Sequence, residues 1–289
     1  MANNSKNKDL MSYNFRFFWV VALRSEAHPL IKMLNLKFYS NHSMLPIYIN
    51  RENGHALVIS GIGSIKSAVA AMYLRSTFEA EQFAAWINIG IAGHPEGPVG
   101  NLFQAIKVIN EDNKKSFFPG LRFPKVATGA ELRTVSLPES QFTHSALYDM
   151  EAAGFCEIVP NFSCNELTFV LKIVSDTSKE LHSAITKKMI AEIFEKNAVK
   201  INNLLDGISK FVNQEKRRLE TPPEINEIIS LMHFTETNRI RFEKIYKKWC
   251  CVFPNDSLIE KAQKVSLAKD LIKKMELDIA AAAESWDLK

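Results

Sequence analysis

The chain is poor in cysteine, and the positions of its few cysteines exclude some classes of protein. Its 289 residues contain four, none of them in a C-x-x-C pair: Cys156, Cys164, Cys250 and Cys251. Adjacent cysteines such as the last two rarely bridge one another. The pattern therefore does not favour a disulfide scaffold. It predicts reduced thiols in a cytoplasmic protein.

A long apolar run is also missing. The first apolar segment, Phe15–Leu23, has nine residues, far short of the ~20 that a membrane-spanning helix needs. The residues before it are polar and lack the apolar stretch of a secretory signal. We therefore predict a buried strand at Phe15–Leu23 and no association with a membrane.

A large excess of positive or negative charge is missing as well, since 36 Lys/Arg stand against 32 Asp/Glu. The formal net charge of +4 does not favour nucleic acid as a partner. Basic and aromatic residues do alternate in Arg239–Trp249, a pattern that suits single-stranded nucleic acid. Residues 213–289 nevertheless hold 14 Lys/Arg against 13 Asp/Glu, so helix packing is the better interpretation of this segment.

Short apolar strands alternate with helical segments over the first two thirds of the chain. This alternation predicts an α/β fold with a largely parallel or mixed sheet, which binds ligands beyond the strand ends. The predicted strands include Phe15–Leu23, Ala84–Ile91 and Leu167–Val174, and the predicted helices include Glu26–Leu34, Ile65–Phe78 and His182–Val212.

A change in composition near Gln214 predicts a domain boundary. Charged residues are followed there by Pro222 and Pro223, which interrupt a helix. We predict a first domain over residues 1–212 and a helical C-terminal extension over 213–289. The extension has no strand pattern and is predicted to form two helices, Glu224–Cys251 and Asp256–Trp286.

Two acidic residues stand where elements begin or end. Glu151 lies at the predicted start of a helix, and Asp176 follows the apolar run Leu167–Val174. Either residue is explained by helix capping or by the helix dipole. Together they also suit chemistry on a sugar–base bond, where one acid holds sugar hydroxyls and the other protonates a departing base.

Six short segments in order resemble the nucleoside phosphorylase/nucleosidase superfamily, and most closely its methylthioadenosine/S-adenosylhomocysteine nucleosidases. The resemblance covers residues 15 to about 212 and implies a three-layer α/β/α sandwich with a mixed, partly closed sheet. The segments are Ala22–Glu26, Ser60–Gly63, Asn88–Gly93, Val99–Asn101, Asp149–Glu151 and Ser175–Asp176.

The resemblance implies a role for each acid. Asp176 matches the acid that stabilises the departing purine, which a raised pKa would assist. Glu151 matches the acid that binds the ribose hydroxyls, with Met150 against the sugar face. Glu26 matches the base that activates water. Each acid also has a purely structural explanation as a residue at a helix end. Met150 is equally explained by packing in the core.

The remaining implied site residues are mostly small. Ser60, Gly61 and Gly63 are expected to bring backbone amides toward nucleophile or sugar, and Ala92 and Gly93 to line the base pocket. Ser175 is expected to bind the substrate. Arg24 is a possible phosphate ligand, because arginine binds phosphate through its planar fork. The resemblance implies no cofactor and no metal.

The choice of nucleophile is open at the level of sequence. The presence of Glu26, together with the absence of the Gly-Asp-Pro start of hexameric phosphorylases, favours hydrolysis. A phosphorylase and a catalytically idle nucleoside-binding scaffold are the alternatives. The segment that should stack on the base is short here, with Phe117, Phe118, Phe123 and Arg133 as candidates. The resemblance also implies a homo-oligomer, a dimer in which the neighbour closes the pocket.

Overall fold

The chain divides into two compact units, Met1–Arg218 and Leu219–Lys289. The computed structural model describes residues 15–39, 44–138, 142–178, 185–220 and 222–286, with side chains up to residue 282. The division lies a few residues beyond the predicted boundary because one helix runs without interruption from 187 to 219.

The described part of the first unit is a mixed sheet with helices packed against it. Its helices are Arg24–Met33 (α1), Ser64–Phe78 (α2), Ala152–Ile158 (α3) and Lys187–Leu219 (α4). Its strands are Phe17–Val21 (β1), Lys37–Phe38 (β2), Ile47–Asn50 (β3), His55–Ile59 (β4), Ala85–Gly93 (β5), Leu102–Asn110 (β6), Ser116–Phe117 (β7), Thr128–Thr134 (β8), Leu147–Asp149 (β9) and Thr168–Asp176 (β10).

The sheet is partly closed. Strand β5 pairs with β10 as well as with β1 and β9, so β10, β6, β8, β9 and β5 form a ring, and β1, β4, β3 and β2 extend from it. Helices α2 and α3 pack on each other and on strands of this sheet. The predicted fold class is therefore confirmed, including the mixed and partly closed sheet.

Strand direction brings the predicted site segments to one edge. Strands β4, β1, β5 and β10 run parallel, so their carboxyl ends meet. Val21 pairs with Ile59, and Val174 pairs with Ala92. The short strand β9 reaches the same edge from the other side of β5, where Tyr148 pairs with Gly93.

One stretch predicted to be loop-rich contains strands. Strand β8 begins one residue before Gly129 and pairs with β6 and β9. Glycine suggested a loop, but here it permits close approach, since a Cβ at Gly129 would lie 2.8 Å from Arg122 Nη2 and 2.9 Å from Ile106 Cγ2.

The second unit is helical with its own apolar core. The described residues form four helices, Pro223–Leu231 (α5), Glu236–Val252 (α6), Ile259–Ala262 (α7) and Ala268–Trp286 (α8). The prediction of two helices was therefore wrong. Thr235 accepts a hydrogen bond from the Asn238 amide at 3.3 Å and caps a new helix where a continuous one was expected. No helix in the described ranges is long and apolar enough to cross a membrane.

The buried histidine of β4 generates a prediction about acid stability. The Trp19 indole donates to His55 Nδ1 at 3.1 Å, and burial, with Arg16 nearby, lowers the pKa of His55 to about 4 from 6.5. The unfolded chain therefore binds this proton at higher pH than the folded chain does. As the pH falls from 6.5 to 4, His55 should therefore lower the free energy of unfolding by up to about 3 kcal/mol.

Chemical denaturation at pH 7 and pH 4.5, followed by a spectroscopic signal of the first unit, measures this loss of stability. His55→Gln should lose less free energy of unfolding over that interval than the wild type, whereas His28→Gln, at an exposed site on α1, should lose as much as the wild type. Equal losses in all three proteins would contradict the assignment.

Candidate active site

A cavity of about 300 Å³ opens at the edge where the parallel strands end. Four carboxyl groups line it, and most of its other walls are apolar. The acids are Glu26, Asp149, Glu151 and Asp176, and the apolar residues include Leu23, Ile62, Ile91, Ala92, Val135, Pro138, Phe142, Met150, Ile185 and Ile190. Among the described lining residues none is a lysine or an arginine.

Glu26 is buried and held by two backbone amides. Its Oε2 accepts from the Leu23 amide and its Oε1 from the Ile91 amide, both at 2.8 Å. Burial raises the pKa of Glu26 to about 7, against the lowering effect of the two amides and of Lys172. A carboxyl group with this pKa exchanges a proton readily near neutral pH, as a general base must.

Glu151 precedes helix α3 and is held by the glycine loop before α2. Its Oε1 accepts from the Gly63 amide at 3.0 Å and its Oε2 from the Met150 amide at 3.3 Å. Burial, followed by the charge of Asp149, raises the pKa of Glu151. A carboxylate offers about four lone pairs, so two acceptor positions are left over from these amide bonds.

Asp176 ends β10, and its carboxyl group lies beside Gly93. Ser175 Oγ donates to Asp176 Oδ1 at 2.5 Å. A Cβ at Gly93 would lie 3.1 Å from Asp176 Oδ2 and 2.8 Å from the Phe142 ring. A side chain at position 93 would press on the Phe142 ring and on the Asp176 carboxylate, so glycine lets both lie close to the strand.

A buried ion pair lies behind these acids. Lys172 Nζ is 2.8 Å from Asp149 Oδ2, and the two side chains are 1% and 0% exposed. Burial by itself lowers the pKa of Lys172, but the carboxylates around it, Asp149 first, outweigh burial and raise it. Asp149 also accepts from Thr134 Oγ1 at 2.7 Å and from the Ala152 amide at 2.9 Å.

The predicted site residues divide into two groups. Seven of them line the cavity: Glu26, Ala92, Gly93, Met150, Glu151, Ser175 and Asp176. The other three do not. Arg24 is exposed, and the amides of Ser60 and Gly61 donate to the carbonyls of Val21 and Ala22. The loop instead contributes Ile62 to the wall and the Gly63 amide to Glu151.

Two aromatic residues, Phe142 and Tyr148, line the cavity, and neither is one of the four candidates. Phe142 lines the cavity, and its ring lies 5.2 Å from that of Tyr148. The candidates lie elsewhere: Phe117 and Phe118 line a separate cavity, and Phe123 contacts Phe169. Arg133 is paired with two glutamates.

Lys172 and Asp149 are charged residues at the site to which the sequence prediction gave no role. A lysine in the middle of a strand whose other positions are buried and mostly apolar is a signal in its own right, because a buried lysine needs a partner. Its partner Asp149 lies on another strand, and that pairing is visible only in the fold.

Comparison with solved structures confirms the superfamily resemblance at the level of the fold. A 5′-methylthioadenosine nucleosidase of Arabidopsis thaliana matches 70% of this chain and 97% of its own, with 15% identity and a TM-score of 0.54. A Campylobacter jejuni 5′-methylthioadenosine/S-adenosylhomocysteine nucleosidase matches 67% of this chain and 99% of its own, with 16% identity and a TM-score of 0.54.

A futalosine hydrolase of Helicobacter pylori has the same fold, with 13% identity and a TM-score of 0.51 over 68% of this chain and 98% of its own. No family model matches the chain, and no curated protein matches it by sequence. The chain therefore shares the fold of these nucleosidases and of this futalosine hydrolase, at low sequence identity.

Gly90 generates a prediction about this site. A Cβ at Gly90 would lie 2.9 Å from Glu26 Oε1 and 3.5 Å from Lys172 Nζ. We expect Gly90→Ala to lower the free energy of unfolding by about 1–3 kcal/mol, because the added methyl group overpacks a buried polar site. Chemical denaturation measures the loss.

Ile89→Val on the same strand is the matched control, with an expected loss of about 1 kcal/mol. The two variants differ in their effect on Glu26: the alanine should also shift the pH dependence of stability near pH 7, and the valine should not. A Gly90→Ala protein as stable as the wild type would show that the site accommodates a methyl group and would contradict the expected overpacking.

Proposed function

We propose that the protein hydrolyses the N-glycosidic bond of a purine nucleoside. The observation that carries this proposal is the lining of the cavity, where four carboxyl groups and, among the described residues, no cationic side chain face the same space. A phosphate nucleophile needs cationic groups to hold it, whereas a water nucleophile needs a base. The lining therefore supports hydrolysis over phosphorolysis.

Glu26 is proposed as the base that takes a proton from the attacking water. Two backbone amides fix its carboxyl group, and its pKa of about 7 suits proton abstraction at neutral pH. The position of Arg24 supports the same choice of nucleophile, since this residue is exposed and outside the lining.

Glu151 is proposed to bind the ribose hydroxyls. Its two amide bonds fix the direction of the carboxylate, and the acceptor positions left over suit a cis-diol. Met150, next to it in the lining, is proposed to contact the sugar face.

Asp176 is proposed to stabilise the departing purine. As the bond to the sugar breaks, negative charge builds on the base, and a proton held or shared by Asp176 offsets it. Ala92, Gly93 and Ser175 form the wall beside it, and Phe142 supplies an aromatic ring of the kind that packs on a flat base.

An adenosine-type substrate with a modified 5′ position is the proposed substrate class. The apolar walls of the cavity suit an apolar group at the 5′ carbon. Two of the solved structures that share the fold are named for 5′-methylthioadenosine, and this nucleoside is therefore the first probe to use.

We further propose that two copies of the chain associate through helix α2. Ile65 is 80% exposed, and Ile62, Val69 and Met72 are 40% or more exposed, so an apolar stripe follows one side of the helix. Ile62 also lines the cavity, which makes the stripe continuous with the wall of the site. A second copy on this stripe is the occupant that suits the implied dimer.

The catalytic assignment predicts the behaviour of two variants. Release of free base from 5′-methylthioadenosine in phosphate-free buffer should fall at least about 100-fold in Asp176→Asn and in Glu26→Gln, because each removes a proton-transfer group. Glu96→Gln, at an exposed loop position outside the lining, should keep the wild-type rate. A wild type that releases base only when phosphate is added would refute hydrolysis.

The association proposal predicts a change of mass in solution. Sedimentation should find the wild type as a dimer and Ile65→Glu as a folded monomer, because a buried charge opposes association. Val199→Glu, at a 71% exposed apolar position on α4, should remain a dimer. A monomeric wild type, or two variants that behave alike, would rule out this surface.

A further inference from the structure

Four charged groups from four elements converge at one wall of the cavity: three acids that line it and a lysine that does not. Glu26 comes from α1, Lys172 from β10, Asp149 from the end of β9 and Glu151 from the residue before α3. Lys172 is opposite Gly90 in the pairing of β10 with β5. Because Gly90 has no side chain, Glu26 Oε1 and Lys172 Nζ both come close to it, at 2.9 and 3.5 Å from where a Cβ would stand.

Asp149 lines the cavity, but most of its hydrogen-bond acceptor positions are used by other groups of the protein. Its carboxylate accepts hydrogen bonds from Thr134 and the Ala152 amide and pairs with Lys172. These three donors use most of its acceptor capacity. A ligand therefore meets a carboxylate that is already satisfied, which distinguishes Asp149 from Glu151.

We infer that Lys172 and Asp149 are positioning residues for Glu26: Lys172 favours the carboxylate form of Glu26, and Asp149 holds Lys172 in place and offsets part of its charge. The inference rests on the proposed function in that it takes Glu26 as the base. Neither residue of the pair is proposed to touch the reacting atoms, and Lys172 is not among the residues that line the cavity.

The charges around Glu26 fix the sign of each effect. A nearby positive charge stabilises a carboxylate, and a nearby negative charge opposes it. Lys172 lowers the pKa of Glu26, and Glu151 raises it. Loss of the lysine charge should therefore make Glu26 harder to ionise. Loss of the Asp149 charge leaves Lys172 with Glu26 and Glu151 as its remaining partners, so Glu26 should ionise more easily.

The ionisation of Glu26 can be measured without any substrate. Glutamate labelled with ¹³C at the carboxyl carbon is titrated by NMR, and the Glu26 resonance is assigned by its loss in Glu26→Gln. We expect the midpoint to move to higher pH in Lys172→Met and to lower pH in Asp149→Asn. Lys107→Met, which removes the half-buried partner of Glu131, should leave the midpoint unchanged.

The same pair of variants should move the reaction in opposite directions. At pH 6 the kcat/KM for base release should fall about three- to tenfold in Lys172→Met and rise in Asp149→Asn, because the ionised fraction of Glu26 follows its midpoint. At pH 9, where Glu26 is ionised in every protein, these pH-dependent differences should shrink. A merely structural role would lower the rate equally at both pH values.

Shifts of the Glu26 midpoint in the same direction, or no shift in either variant, would overturn the inference. If Lys172→Met does not fold, Asp149→Asn and Lys172→Arg decide the question: the first must lower the midpoint and the second must retain it. A wild type that releases no base would refute the proposed function, while the NMR midpoints would still judge the electrostatic role of the pair.

Discussion

The ion pair between Lys172 and Asp149 is the interaction on which the site depends. Lys172 is the only lysine or arginine that is buried in the described part of the chain, and it lies among three buried acids. Withdrawing these charges from water costs several kcal/mol for each ion. The cost is offset only if each charge has partners, which Asp149 obtains from Lys172, Thr134 and a helix amide.

The closed ring of strands makes this pairing possible. Strand β5 lies between β9 and β10 and pairs with both, so the acid of one and the lysine of the other meet across it. Gly90 and Gly93 are on that central strand, and each leaves room for a carboxyl group, Glu26 at the first and Asp176 at the second. Small residues on one strand thus set the places of two acids.

Sequence reasoning predicted the parts of this arrangement that are local in the chain. Glu26 and Asp176 follow apolar strands, and parallel strands end at one edge, so their meeting followed from the pattern. The role of Lys172 was not predicted, because its partner Asp149 is 23 positions away on a strand of three residues. Strand β8 was missed because glycine and proline indicate a loop. The amides of Ser60 and Gly61 were expected to face the nucleophile or sugar, but they donate to the carbonyls of Val21 and Ala22.

In the proposed reaction, water attacks the sugar in this cavity and breaks its bond to a purine. The most direct test is to identify the sugar product formed from 5′-methylthioadenosine by the full chain, with and without millimolar phosphate. Hydrolysis should give free base and an unphosphorylated sugar at the same rate in both buffers. A sugar 1-phosphate as the product, or no free base at all, would contradict it.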